Sequence, residues 1–154
     1  MLCVVLFLAL TAHSVLAECT EGWLQFEDLC VNFNMPFLTW DDALEVCRAY
    51  GAILVQDNSQ EKHDWLVEQM KSRGILKLWT GGRRDSSGVW KWVQSNETFS
   101  YVTWYPGEPN YNFENCVYLT KRYNYNWNNQ VCSYKIPFAC ERRTPSSEGL
   151  AESD

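Results

Sequence analysis

Cysteine placement constrains this chain more than any other feature. The sequence holds 7 cysteines, and Cys3 lies inside an apolar leader. The other six are Cys19, Cys30, Cys47, Cys116, Cys132 and Cys140. An even set in a chain carrying a leader implies an oxidising compartment and three bridges, although spacing alone does not choose among the possible pairings. Zinc is a poor alternative, because no C-x-x-C pair occurs and His63 is the single histidine after the leader. The leader itself is almost wholly apolar over residues 2–10, and Val15-Leu16-Ala17 has the small-residue spacing of a signal-peptidase site. It is too short for a membrane anchor. We read residues 1–17 as a signal peptide, residues 18–143 as one domain and residues 144–154 as a loose acidic tail. The expected location is secreted and extracellular, and no later segment is long and apolar enough to span a membrane.

The formal net charge is −6. The basic pairs Arg83-Arg84, Lys121-Arg122 and Arg142-Arg143 are scattered, and each reads as a solvated turn rather than a phosphate track. A nucleic-acid partner is therefore not expected.

Along the domain, helical and extended patterns segregate. Thr39 precedes a stretch in which Ala43, Leu44, Cys47 and Ala49 recur near helical spacing, and Gly51 stops it. A second helix is expected from Ser59 to Ser72, carrying Trp65, Leu66 and Met70 and ending at Gly74. Within it, His63 sits among polar residues and reads as a solvated surface group. Residues 52–55, 76–80, 89–92, 116–119 and 137–140 are short apolar or aromatic runs bounded by turn residues, which is the signature of strands. Residues 93–115 show little periodicity but many Asn, Tyr and Glu residues, so they read as a long functional loop.

Several motifs, taken together and in order, resemble the C-type lectin-like domain family over residues 19–141. Cys19, Trp23, Phe26 and Cys30 match the extra hairpin of the long form. Leu78-Trp79-Thr80-Gly81-Gly82 is similar to the family's central W-I-G-L strand, and Trp90-Lys91-Trp92 to its W-x-W. The run from Trp104 to Asn110, with Glu108-Pro109-Asn110 at its end, resembles the sugar-site loop, and Trp127-Asn128-Asn129 the W-N-D strand. The resemblance implies an α+β fold, with two helices packed on short antiparallel sheets, a long calcium- and sugar-binding loop and three disulfides. It also implies the pairings Cys19–Cys30, Cys47–Cys140 and Cys116–Cys132, and a cis Glu108–Pro109 bond.

The resemblance places Glu108, Asn110, Glu114, Asn128 and Asn129 around one Ca2+, a hard cation that takes oxygen ligands. Glu108, Asn110, Glu114 and Asn128 would also meet the sugar. With Glu before Pro109 and Asn after it, hydroxyl donors and acceptors suit neighbouring equatorial hydroxyls. The family's E-P-N form is accordingly associated with mannose, N-acetylglucosamine and fucose. Tyr111 or Phe113 could stack on a sugar face. Two departures from the family pattern stand out. Asn129 occupies the position of an Asp, which removes one negative ligand. The stretch between Asn110 and Glu114 is short, and Asn115 stands where many members have Asp, which argues against auxiliary calcium ions.

The expected function is that of a secreted recognition lectin for glycans with mannose-type vicinal equatorial hydroxyls. Because one shallow site binds weakly, non-covalent self-association is also expected. No catalytic role is expected: Glu108 and Glu114 are better explained as ligands of one cation than as a glycosidase pair. The rival expectation is an extracellular matrix, mineral-associated or protein-binding module of the same fold, because fold does not fix function. Asn96-Glu97-Thr98 is an N-glycosylation sequon with Asn96 as acceptor.

Overall fold

Thr39 and Ser59 begin the two helices by the same means. In the computed structural model, which describes residues 18–33 and 36–145, each lends its hydroxyl oxygen to a backbone N–H three residues on. The Thr39 hydroxyl accepts from Asp42 at 3.2 Å, and the Ser59 hydroxyl accepts from Lys62 at 3.1 Å. The first helix, α1, spans Trp40–Ala49 and buries Trp40, Ala43, Leu44 and Cys47, one stripe at helical spacing. The second, α2, spans Gln60–Ser72 and buries Lys62, His63, Leu66 and Met70. The signal-peptide reading of residues 1–17 and most of the tail reading of residues 144–154 lie outside the described residues.

Two antiparallel sheets carry the helices. The first joins β1 (Leu24–Phe26), β2 (Leu29–Asn32), β3 (Ile53–Leu54) and β9 (Cys140–Arg143) in the order β1-β2-β9-β3. The second joins β4 (Lys77–Arg84), β5 (Trp90–Trp92), β6 (Glu97–Thr98), β7 (Cys116–Thr120) and β8 (Trp127–Gln130) in the order β6-β5-β4-β7-β8. The bridges are Cys19–Cys30, Cys47–Cys140 and Cys116–Cys132, as the resemblance implied. Cys47–Cys140 pins α1 to β9, and Cys116–Cys132 ties the start of β7 to the residues after β8.

Four local expectations are corrected. The strand expected at residues 137–140 forms its ladder later, over Cys140–Arg143, because the preceding residues are used elsewhere. Ile136 bridges Leu38 and Phe138 bridges Trp79, so this stretch stitches the two sheets together before β9 begins. The pair Arg142-Arg143 accordingly lies in that strand and not in a turn, with Arg142 4.1 Å from the Trp23 ring centre. Likewise Arg83-Arg84 ends β4.

His63 is not a solvated surface group. It is buried, and its Nδ1 lies 2.7 Å from Asp57 Oδ2. The same carboxylate oxygen accepts the Trp127 indole N–H at 2.6 Å. Beside this group, Lys62 and Glu141 form a buried ion pair. The signal was present in the spacing: residues 62, 66 and 70 step by four along α2, so Lys62 shares the face of Leu66 and Met70.

An aromatic cluster lies under the long loop. Trp92, Phe99, Trp104 and Trp127 pack with ring centres 4.5 Å (Trp92–Phe99) to 6.5 Å (Phe99–Trp104) apart. Phe99 approaches the backbone so closely that a Cβ on Gly82 would lie 2.7 Å from its Cζ, so only glycine fits there. The loop is pinned by this cluster and by two backbone bonds to Trp127, from its N–H to Thr103 and from Tyr105 N–H to its carbonyl, each 2.9 Å.

Candidate functional site

Beyond Tyr105 the chain leaves the aromatic cluster and turns sharply. Glu108 N–H donates to the Tyr105 carbonyl at 2.9 Å, Gly107 takes a left-handed φ of 93°, and the Glu108–Pro109 bond is cis. The cis bond directs Glu108 and Asn110 to one side, where the Asn110 amide donates to Glu108 Oε1 at 3.1 Å. Glu114 closes the excursion just before β7. The β7–β8 ladder sets Asn128 opposite Tyr118 and Asn129 opposite Val117, beneath the same loop.

All five residues named from the sequence therefore lie in one neighbourhood, but they do not play equal parts. The Asn128 amide nitrogen donates to the Tyr118 hydroxyl at 3.2 Å, which leaves its Oδ1 buried without a hydrogen-bond partner. Glu108 Oε2 is buried and unpartnered too. Both carboxyls are held above the usual carboxylate range. Desolvation is the main cause for each, and for Glu114 the charge of Glu108 adds to it. Burial also raises the Tyr118 phenol, with smaller contributions from Tyr123, Glu114 and Glu108.

Asn129 is fully buried and its amide is engaged inside the protein. Its nitrogen donates to the carbonyls of Glu114 at 2.9 Å and Tyr111 at 3.2 Å, while its oxygen accepts Asn110 N–H at 3.3 Å. Two acceptor-only carbonyls on one side and an N–H on the other fix this orientation of the amide.

The donor set fits a hard cation. Buried oxygens without partners cost free energy, and two neighbouring carboxylates repel; a divalent ion would relieve both. Among the described residues no three His, Cys, Asp or Glu side chains cluster as a metal cage, so the set depends on amide oxygens beside two carboxylates.

The model of the lectin C-type domain matches residues 37–142. The chain belongs to the C-type lectin domain family. A perlucin-like protein of Mytilus galloprovincialis is 31% identical over 120 residues, covering 75% of this chain and 77% of that protein. Among solved structures, the SPL-1–GlcNAc complex superposes with a TM-score of 0.76 at 25% identity, covering 83% of this chain and 97% of that one. Herring type II antifreeze protein superposes with a TM-score of 0.74 at 26% identity, covering 82% and 100%. Several further relatives are longer proteins, of which this chain spans between 9% and 59%. The domain of this lectin family is one for carbohydrate binding rather than catalysis, and among the described residues no helix is long and apolar enough to cross a membrane.

The aromatic residues beside the site divide into two groups. Tyr111 and Phe113 stack on each other with ring centres 5.4 Å apart and are largely exposed, next to Asn110 and Glu114. Tyr105 stacks on Tyr123 at 4.2 Å. Asn96 is exposed in the β5–β6 turn with a left-handed φ of 57°, an accessible position for the sequon.

One participant escaped the sequence reading. Arg84 reaches under the loop from the end of β4 and bonds Asn115 at a separation of 31 residues. A basic pair in the sequence carries no sign of such a partner.

Proposed function

We propose that this domain binds glycans through one Ca2+ held by Glu108, Asn110, Glu114, Asn128 and Asn129. The observation that carries this reading is the pair of buried, unpartnered oxygens, Glu108 Oε2 and Asn128 Oδ1. Calcium bound there supplies positive charge and open coordination positions for sugar hydroxyl oxygens. Glu108 and Glu114 accept hydrogen bonds from the hydroxyl protons, and the amides of Asn110 and Asn128 donate to the hydroxyl oxygens. That donor–acceptor order suits adjacent equatorial hydroxyls and hence mannose, N-acetylglucosamine or fucose. Tyr111 and Phe113 offer an apolar face beside the bound ring.

The domain would act as a secreted recognition lectin, working non-covalently in multiples because one shallow site binds weakly. The test is retention on a mannose resin with calcium, release by chelator and recovery when calcium returns. Changing Glu108→Gln together with Asn110→Asp reverses the amide and carboxylate sides and should shift preference from mannose toward galactose. Equal retention in chelator would refute the mechanism.

The second reading is a matrix, mineral or protein-binding module that needs no calcium. One observation favours it: Asn129 replaces a negative ligand and already has three partners. Chelator-insensitive binding to a protein or mineral surface, with no sugar retained, would establish that reading.

A further inference from the structure

The loop carbonyls of Tyr111, Asn112 and Glu114 each meet a side-chain donor. Arg84 Nη2 donates to the Asn112 carbonyl, and more distantly to that of Tyr111 at 3.4 Å. Its Nε and Nη2 both grip Asn115 Oδ1, at 2.9 and 2.7 Å. Its backbone N–H donates to the Asn115 carbonyl at 2.9 Å. From β8, the Asn129 amide takes the carbonyls of Tyr111 and Glu114. The guanidinium plane lies over Trp90, 5.3 Å from the ring centre, which fixes its approach.

The charge of Arg84 is thus spent on carbonyl dipoles and one amide oxygen, whereas the neighbouring Arg83 pairs with Asp41. A cation surrounded by carbonyl oxygens under a loop does what a bound metal ion does there: it gathers acceptors that would otherwise repel one another. We propose that Arg84, assisted by Asn129, is a built-in brace that holds residues 111–115 in their binding conformation before any metal arrives. Arg84 takes the place of a second cation beneath the loop. Both are positioning residues. Placing Glu114 in advance removes the ordering cost from the calcium-binding step, and this consequence alone rests on the calcium reading given above. Lysine cannot substitute fully, because an ammonium lacks the planar fork that holds three acceptors at once.

The loop supplies its own probe. Tyr111 and Phe113 are exposed aromatic residues, so chymotrypsin should cut after them only when the loop leaves its braced form. The measurement is the rate of cleavage after these two residues, in chelator and in calcium, for wild type, Arg84→Ala and Arg84→Lys. Wild type should resist in chelator nearly as well as in calcium. Arg84→Ala should be cut about tenfold faster or more in chelator, since several charge-assisted bonds are lost, and calcium should restore its protection. Arg84→Lys should fall between them. Near-UV circular dichroism and cleavage elsewhere in the domain report whether the core remains folded. If Arg84→Ala loses its core, Arg84→Lys carries the test, and wild-type resistance of that variant in chelator overturns the brace. Wild type cut as fast in chelator as Arg84→Ala also overturns it. A wild type that resists in chelator yet never retains mannose overturns the sugar reading and leaves the brace standing.

Discussion

The charge of Glu108 raises the proton affinity of Glu114, six positions along the loop. Each is held above the usual range, with burial as the larger cause. Protons and calcium therefore compete for the same oxygens. Calcium affinity should fall as pH falls through the raised values, starting above the ordinary carboxylate range of about 4–4.5. The stability linkage has the opposite sign. In the metal-free fold these acids bind protons more tightly than in the unfolded chain, so their destabilising contribution is full above the raised values and fades on acidification. Calcium titrations at neutral and mildly acidic pH check this, with Glu114→Gln expected to show a shallower dependence. An affinity unchanged as the pH drops toward the carboxylate range would sink the idea.

Much of this site was legible because its geometry is local. The cis Glu108–Pro109 bond and the ladder that puts Asn128 and Asn129 opposite Tyr118 and Val117 depend on short stretches with recognisable motifs. Both helix starts were legible for the same reason, since a capping hydroxyl acts three residues away. What escaped depends on tertiary approach. Nothing near Arg84 in the sequence identifies Asn115 as its partner, and nothing beside His63 identifies Asp57 as the group it meets. Asn129 was legible as a departure from the family pattern, but its role in holding two loop carbonyls was not.

Loss of individual disulfides should follow loop size. Cys47–Cys140 closes a span of 93 residues and joins α1 to β9, whereas Cys19–Cys30 closes a span of 11 around the first hairpin. Chain-entropy arguments put removal at about 4–5 kcal/mol for the first and about 3 kcal/mol for the second. Replacing each pair with alanine and unfolding with denaturant should give that order. Equal losses would show that native-state packing, not unfolded-chain entropy, governs these bridges.

The Lys62–Glu141 pair offers a sharper test of buried charge. Desolvation raises the Glu141 carboxyl despite the opposing pull of Lys62. Removing the lysine alone, as Lys62→Met, strands a buried carboxylate and should cost about 3–5 kcal/mol. The double variant Lys62→Met with Glu141→Gln should recover much of that loss, because no charge is then buried unpaired. Acidification should rescue Lys62→Met in part, since protonation removes the stranded charge. Thermal or denaturant unfolding of the three proteins completes the cycle, and a double variant as unstable as the single one would refute the pairing argument.

Asn129→Asp brings the two roles of that position into opposition. With calcium present, a third carboxylate beside Glu108 and Glu114 should tighten the ion, because ligand charge tunes affinity in oxygen sites. Without calcium, the same carboxylate faces the carbonyls of Tyr111 and Glu114, which have lost the Asn129 amide as a donor, and adds charge beside Glu108 and Glu114. An unsatisfied buried group costs about 1–3 kcal/mol, and a charged one more. The variant should therefore melt below wild type in chelator and gain more than wild type from calcium. Chymotrypsin should also cut its loop faster in chelator, as the brace predicts. Melting curves with and without calcium give both quantities from one preparation. A variant that matches wild type in chelator would show that the Asn129 amide does not hold the loop. A variant that loses stability in chelator and gains nothing extra from calcium would remove this position from the ligand set.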